Sequence, residues 1–397
     1  MTIKSLLLGS AAALAVVSGA HAADAIVAAE PEAVEYVRVC DAYGTGYFYI
    51  PGTETCLKIE GYVRFDVNFG FGDFYDNGGL EDWSSLTRGQ VQFTAKSDTE
   101  YGPLTGVIVY QANYRPNGDA SNNTATDGTD FALDTAYIDI AGLRVGKLFN
   151  WWDDDFSGEF DVTNSGNTSF NSIRYQYESG DFYAGIAVEE IGGVNYGFAG
   201  PLAAGFNAAF LAANPGATDE DAAEALAALG GLEEHGNNVG IDAAIGGVAG
   251  GFTWQLIGGY DIDAEEGAIR GRVTADIGPG TFGIAGIWSS GPSAYYLNGE
   301  WSIAAQYAIK ATDKFTITPG VQYTANIIPE FGADGIDGWD DGHEWRAGVT
   351  LDYQIVDNLS AKVTATYVKQ DYGDTGEALG VDSADGVEGF FRLQRAF

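Results

Sequence analysis

The chain has 397 residues, and its 19 Lys and Arg face 56 Asp and Glu, a formal net charge of −37. So acidic a chain offers few clustered cations for phosphate groups, which argues against nucleic acid as a partner. The charge suits a surface or lumen that handles cations and water. The 56 glycines and 13% aromatic residues favour many strands and turns.

The first residues have the pattern of a secretory signal peptide. Lys4 precedes the apolar run 6–17, and Ala20-His21-Ala22 fits the small-residue rule for cleavage. We predict a signal peptide over 1–22 and a mature chain from Ala23. After it, no stretch reaches the roughly twenty consecutive apolar residues that a spanning helix needs. If the mature chain enters a membrane, it must therefore do so as a barrel.

An N-terminal preface, 23–56, contains both cysteines of the chain, Cys40 and Cys56. In an exported protein an even pair of cysteines predicts one structural disulfide. Metal binding is the weaker alternative, because two cysteines lack the other ligands of a tetrahedral site. We therefore expect a Cys40–Cys56 disulfide, no metal site and no cofactor.

From Leu57 onward the sequence alternates with a period of two. Apolar residues or glycine occupy the odd positions of 57–69, and polar residues occupy the even ones. This pattern is typical of strands with one wet face and one greasy face. It predicts about sixteen strands: 57–69, 89–95, 104–114, 135–140, 143–148, 173–178, 182–188, 238–245, 252–260, 269–277, 282–288, 297–309, 315–325, 345–355, 359–367 and 387–397.

The closing strand and the connections favour a transmembrane antiparallel β-barrel over residues 57–397. The last strand ends on Phe397, with Phe391 and Leu393 on its apolar phase. Short turns such as 356–358 alternate with longer polar loops, as in outer-membrane barrels, and an even strand number also fits. A water-soluble β-sandwich is the alternative, but about sixteen strands without a domain break favour one barrel.

The positions of the basic residues indicate which face is charged. Most of those that follow the signal lie on the polar phase of a predicted strand or at its end, which predicts a charged lumen. These residues are Lys58, Arg64, Arg88, Lys96, Arg115, Arg144, Arg174, Arg270, Arg272, Arg346, Lys362 and Arg392.

One long insertion, 191–236, departs from the strand pattern. It has an N-cap and early acids at 218–221, an Ala-rich run, and a glycine stop at 230–231. We predict a short helix there. We interpret the insertion as a surface loop rather than as a pore lid or a trimer clasp.

Motifs for catalysis do not occur in the sequence. G-x-S-x-G, H-E-x-x-H and P-loop patterns are all absent. Of the three histidines, His21 leaves with the signal, and His235 and His343 lie in or beside predicted loops. We therefore predict no catalytic residue and no enzyme activity.

Both ends of the chain resemble a known family. The cysteine block 39–57, the strand start Gly61-Tyr62-Val63-Arg64, the segment 142–146 and the end 392–397 are similar to the alphaproteobacterial outer-membrane porins of the Brucella and Rhizobium type. The resemblance implies a trimeric, water-filled, general-diffusion channel for small hydrophilic solutes and ions. We expect a homotrimer in the outer membrane of a Gram-negative cell, in contact with its lipid and lipopolysaccharide.

The connection after the fifth predicted strand, 149–161, mixes aromatic residues with acids. In porins of this size that loop folds inward, so the resemblance implies a constriction loop, where charge rings set ion preference. An ordinary acidic surface loop is the alternative. The candidate constriction acids are Asp153, Asp154, Asp155, Glu159 and Asp161, and the candidate wall residues are Arg64, Arg88, Arg174, Arg346 and Arg392.

These features predict passive diffusion with a mild preference for cations. A substrate-specific channel is one alternative, and saturable block of the conductance by one solute would indicate it. A plugged barrel that serves as a structural anchor or adhesin is another. In that case liposomes carrying the protein would not swell in sugars.

Overall fold

The computed structural model describes residues 38–76, 82–116, 129–164, 167–192, 200–230, 238–332 and 335–397. The predicted signal peptide, 1–22, lies outside these residues. Sixteen strands of the described part form one closed antiparallel barrel, which confirms the predicted fold class. No helix in the described ranges has both the length and the apolar character to cross a bilayer.

The barrel strands share antiparallel pairing with their neighbours in the chain. They are β2 (Cys56–Gly72), β3 (Trp83–Thr99), β4 (Gly102–Tyr114), β5 (Thr129–Ile140), β6 (Leu143–Phe149), β7 (Ser169–Ser179), β8 (Phe182–Ile191), β9 (Asn238–Ala249), β10 (Phe252–Asp261), β11 (Glu266–Ile277), β12 (Gly280–Ser289), β13 (Trp301–Thr312), β14 (Phe315–Ala325), β17 (His343–Val356), β18 (Leu359–Asp371) and β19 (Ser383–Ala396). The remaining elements are β1 (Phe48–Tyr49), β15 (Pro329–Gly332), β16 (Gly335–Trp339), α1 (Asp73–Asp76), α2 (Gly200–Ala213), α3 (Asp219–Gly230) and α4 (Gly373–Leu379).

The ring closes where β19 pairs with β2. The terminal Phe397 continues this seam, because it exchanges two backbone hydrogen bonds of 3.1 and 2.9 Å with Gly61. A Cβ on Gly61 would lie 3.0 Å from the Phe397 ring. Such a Cβ would also overlap the Gln90 carbonyl oxygen, so glycine at this position allows close packing on both sides of the first barrel strand.

Each strand keeps its two faces apart, as the alternation predicts. On β17 the outward Trp345, Val349 and Tyr353 are exposed, whereas Glu344 and Thr350 point inward and are buried. An apolar exterior and a polar interior are the reverse of a soluble sandwich and match a barrel that faces hydrocarbon. The observed phases place the predicted basic residues of the strands on the lumenal side.

The connections are short at one end of the barrel and long at the other, as predicted. The turn between β9 and β10 is only Gly250-Gly251, with φ of 59° and 88°. Two consecutive positive φ angles are those of a type I′ hairpin, which glycine adopts without a steric cost. We call this end the turn side and the opposite end the loop side.

The predicted helix in the long insertion is present as α3. The Asp221 amide donates to Thr218 Oγ1 at 3.2 Å, and the Thr218 amide donates to the Asp221 carboxylate at 2.6 Å. These reciprocal bonds cap the first turn. A second helix of the same insertion, α2, was not predicted, although Pro201 in its first turn and Pro215-Gly216 after its end are ordinary helix boundaries.

The predicted disulfide joins Cys40 and Cys56, with their Cα atoms 6.0 Å apart. It is buried with Tyr47 at the turn side. Tyr43 in the same segment donates a hydrogen bond of 2.7 Å to Asp98, and this bond with burial raises the pKa of Tyr43 to about 12. The division of the chain into a preface, 23–56, and a barrel, 57–397, stays a prediction.

Candidate pore constriction

The connection between β6 and β7 folds into the barrel; we call its residues 150–164 the inner loop. It turns at Asn150, whose side chain accepts a hydrogen bond of 3.1 Å from the Trp152 amide. Further along, the Gly158 amide donates to Gln306 at 2.8 Å, and the Val162 amide donates to Gln322 at 2.8 Å. Both glutamines point inward, from β13 and β14. The inward fold of this loop is therefore as predicted.

Arg270 on β11 holds the inner loop at both of its limbs. Its side chain is only 1% exposed. Nη1 donates to the carbonyls of Trp152 and Thr163 at 3.2 and 3.0 Å, and Nη2 donates to those of Trp151 and Asp154 at 3.0 and 2.9 Å. Because guanidinium presents its donors in a fixed fork, one side chain can satisfy carbonyls of the outgoing and the returning chain together.

Inward-facing glycines receive the aromatic rings of the inner loop. A Cβ on Gly283 of β12 would lie 2.7 Å from the ring of Phe156, and one on Gly348 of β17 would lie 2.7 Å from Phe160 Cβ. A Cβ on Gly320 of β14 would overlap the Phe160 ring itself. Phe160 is fully buried. These glycines therefore form sockets, and the loop packs against the wall of the barrel.

A second inward segment, 290–300, joins β12 to β13. Tyr295 and Tyr296 in it are fully buried, and the Tyr295 ring lies 6.1 Å from that of Trp152. Tyr295 donates to Glu189 at 3.1 Å, and a Cβ on Gly259 would overlap its ring. A strand was predicted from residue 297, but β13 begins at Trp301. The two segments together fill the lumen beside β8 to β14.

Two predicted constriction acids are paired with arginines of β11. Asp154 forms an ion pair with Arg272. Asp155 lies 3.5 Å from Arg270 and accepts a hydrogen bond of 3.0 Å from the Thr163 hydroxyl. These carboxylates therefore help to fix the inner loop as well as adding charge to the lumen.

The other three predicted acids, Asp153, Glu159 and Asp161, also have bonding partners. Glu159, at the tip, accepts from Lys362 of β18 at 2.7 Å and lies 4.0 Å from Arg392. Asp153 and Asp161 accept from the hydroxyls of Thr168 at 2.6 Å and Thr163 at 2.9 Å. The loop tip is thus tethered by cations of the opposite wall.

Arg64 and Arg88 stand directly opposite each other on β2 and β3. Arg64 Nε donates to Gln394 at 2.8 Å, and Arg88 Nε donates to Asn113 at 2.7 Å. Within the described residues neither guanidinium has a carboxylate partner. Both side chains are held by amide groups, without a salt bridge, on the wall of β2 and β3.

The predicted wall residues Arg392 and Arg346 form ion pairs with carboxylates of the barrel. Arg392 forms two hydrogen bonds with Asp66, of 2.8 and 3.1 Å. Arg346 donates to the Phe160 carbonyl at 2.9 Å and pairs with Glu388.

Arg174 lies in a different environment from the other predicted wall residues. It is only 7% exposed and stacks 4.1 Å from the Trp151 ring centre. Its Nη2 also donates to the Phe149 carbonyl at 2.6 Å. Because Trp151 covers it, Arg174 does not face the open part of the lumen.

Three residues that hold the inner loop were not among the predicted site residues: Arg270, Arg272 and Lys362. All three had been placed on the polar phase, and the pair on β11 is two positions apart. Two inward cations on one strand were the available signal. A second signal in the sequence was glycine at inward strand positions, because a polar side chain is usual at such positions.

The environment of Asp155 makes the charge of the inner loop pH-dependent. Burial, and then repulsion from Asp161, raise its pKa to about 7, although Arg270 and the Thr163 hydroxyl oppose the shift. The side chain is still 39% exposed, so passing ions feel its charge.

We expect the cation preference of the channel to rise between pH 6 and pH 8, since Asp155 is neutral below a pKa of about 7 and negative above it. Reversal potentials in a salt gradient at several pH values measure this. The Asp155→Asn variant should lose the step around neutral pH. An unchanged step in that variant would assign the titration to another group.

A closed barrel of sixteen strands with an apolar exterior, a polar lumen and an inward loop defines an outer-membrane diffusion channel. The chain belongs to the porin subfamily, whose family model matches residues 24–389. Outer membrane protein IIIA of Rhizobium leguminosarum bv. viciae is 52% identical over 376 residues, which cover 94% of this chain and 92% of that protein. Porin Omp2b of Brucella suis is 33% identical over 415 residues, with full coverage of both chains.

Solved structures show the same fold at low sequence identity. The outer-membrane channel DcaP of Acinetobacter baumannii is 12% identical with a TM-score of 0.57, and the match covers 88% of this chain and 99% of that one. In-vitro folded OmpT of Vibrio cholerae, in a trimer form, is 12% identical with a TM-score of 0.53, covering 87% and 100%. The chain is therefore a general-diffusion porin of the outer membrane, and the predicted family is confirmed.

Proposed function

We propose that the water-filled path of this porin runs between the inner loop and the wall made by β2 to β5 and β19. The distribution of contacts supports this path. The inner loop and the segment 290–300 are bonded mainly to strands from β7 to β18, with one ion pair of 4.0 Å to Arg392 of β19. The polar side chains of β2 to β5 are bonded mostly to one another and to β19. On this wall Arg64 and Arg88 face the lumen.

The proposed path carries opposite charges on its two sides. Exposed carboxylates of the inner loop, including Asp153 and Glu159, face one side, and the pair Arg64 and Arg88, held by amide groups, faces the other. Such a transverse field orders the dipoles of passing solutes and sets ion preference. Together with the net charge of −37, the acids give a mild preference for cations. Transport is passive, and we propose no catalytic role.

We propose that the assembled protein is a homotrimer surrounded by outer-membrane lipid and lipopolysaccharide. The trimer form of OmpT, a protein with the same fold, supports this proposal. Single-channel recording in planar bilayers tests it together with the diffusion path. Ohmic steps that close in groups of three and a reversal potential of cation sign are expected. Folded, inserted protein without steps would favour the plugged barrel instead.

The double variant Arg64→Gln and Arg88→Gln should increase the cation preference of the channel, because it removes only positive charge from the open wall. The reversal potential in a salt gradient is the readout. Arg395→Gln, which removes a cation exposed near the turn side, is the matched control and should leave selectivity unchanged. If the double variant behaves like this control, the path does not pass that wall. Saturable block by one solute would indicate a substrate-specific channel.

A further inference from the structure

Helix α2 is docked on the side of the ring opposite the strands that its connection joins. It belongs to the connection between β8 and β9, which lie opposite β2, β18 and β19 in the strand order. Yet α2 packs against α1, between β2 and β3, and against α4, between β18 and β19. Because these elements all lie on the loop side, α2 is docked at the loop-side mouth, across the ring from β8 and β9.

The contact is made by one face of α2. Leu202 is 4% exposed and clusters with Ile328 and Tyr372, which are themselves buried. Three positions on, a Cβ at Gly205 would lie 2.7 Å from a methyl group of Val381. Residues three apart share one side of a helix. Leu202 and Gly205 therefore form a close-packed docking face.

The surface that receives α2 is held in place by its own bonds. Helix α4 ends at Gly380, whose φ of 73° is left-handed and whose amide bonds back to Glu377. The Val381 amide donates to the Gly376 carbonyl at 2.9 Å. Tyr372 donates to Gln370 of β18 at 3.0 Å. The dock is thus continuous with the barrel wall.

Away from this face, Ala204 of α2 is exposed. Helix α3, capped by Thr218, packs beside α2. The two helices therefore form a paired element with one docked face and one free face. This arrangement differs from a plain surface loop, in which neither face would be buried against distant connections.

We propose that α2 is a fixed strap across the loop-side mouth and limits the size of solutes that enter from outside. The inference rests on the proposed diffusion path, because a strap matters only above an open lumen. A helix with its side chains is about 10 Å across. Ions pass beside it, whereas oligosaccharides of similar width are excluded. The size limit is then set at the mouth as well as at the inner loop.

One-sided polymer exclusion in planar bilayers separates the two limits. Polyethylene glycols of graded mass are added to one compartment at a time, and the largest polymer that still lowers the conductance measures the mouth on that side. Orientation is read by streptavidin access to a biotinylated cysteine at the exposed turn residue Asp357. The charged variant Leu202→Asp undocks the strap, and Ala204→Asp places the same charge on the free face as its matched control.

Undocking should raise the polymer limit on the loop side by about two-fold in mass, since a helix about 10 Å across leaves the mouth. The limit on the turn side and the conductance in plain salt should change little. Ala204→Asp should match the natural protein on both sides. If Leu202→Asp does not insert, Gly205→Val provides the same test by steric wedging.

Two results would contradict the proposal that α2 limits the size of entering solutes. One is an equal loop-side limit in Leu202→Asp and Ala204→Asp. The other is an equal shift on both sides, which would mean that the inner loop had changed. Failure of the natural protein to conduct would instead contradict the diffusion path, so the two proposals fail in different ways.

Discussion

Replacing Gly320 with valine is expected to push the inner loop off the wall and to narrow the channel, because the displaced loop moves into the proposed path. The added side chain would occupy the place of the Phe160 ring, which is fully buried and has no free space to enter. Overpacking of this kind costs about 1–3 kcal/mol of folding free energy. Displacing Phe160 also breaks the 2.9 Å bond between its carbonyl and Arg346. We expect the single-channel conductance to fall roughly two-fold as the constriction narrows.

Gly286→Val is the matched control for this substitution. Gly286 also lies mid-strand, but its Cβ would point outward and meet no atom closer than 4.0 Å. Its conductance should equal that of the natural protein. A double-mutant cycle with Phe160→Ala isolates the socket, because Gly320→Val should cost little once the ring is gone. Additive costs would show that Gly320 acts through another neighbour.

Replacing Arg270 with methionine should release the inner loop altogether. The carbonyls of Trp151, Trp152 and Thr163 lose their guanidinium donor together, whereas that of Asp154 still accepts from Arg272 at 2.8 Å; each buried, unpaired carbonyl costs about 1–3 kcal/mol. Asp155 also loses its cation at 3.5 Å. We expect the free energy of unfolding to fall by more than about 3 kcal/mol. Current traces should flicker, and a protease should cleave within residues 150–164.

Arg64→Met removes the same charge from the lumen without touching the inner loop. It should therefore alter selectivity but leave the loop resistant to protease. For Arg270→Lys we expect current flicker and protease cleavage between those of Arg270→Met and Arg64→Met, because an ammonium group cannot reproduce the planar fork of guanidinium. If the Arg270→Met channel shows no flicker and resists protease, the packing of Phe156 and Phe160 against the wall is sufficient to hold the loop.

The barrel was predictable from the sequence because alternation along a strand is a local property. The predicted strand 315–325 has the bounds of β14, and the closing strand ends in the ring seam as expected. The acids of 149–161 were also placed correctly on an inward loop. In each case neighbouring residues along the chain carried the information.

Other features depended on partners far away in the sequence. Arg64 and Arg174 occupy the same strand phase, but Trp151 covers only Arg174. Leu297 was predicted to begin a strand directly after Tyr295 and Tyr296. Those rings instead pack inside the lumen, where glycines of distant strands make room. The contact of α2 with α4 was likewise invisible to a local pattern.

The hydrogen bonds of the inner loop affect the order in which the parts of the porin fold. Glu159 bonds Thr350 and Lys362, which follow it by 191 and 203 residues. During synthesis and insertion, a chain that has reached only β7 offers the loop none of these anchors. The narrow passage is therefore the last part of the molecule to be defined, after the C-terminal strands have joined the ring. Any truncation that removes β17 and β18 would remove these bonding partners of the inner loop along with part of the wall.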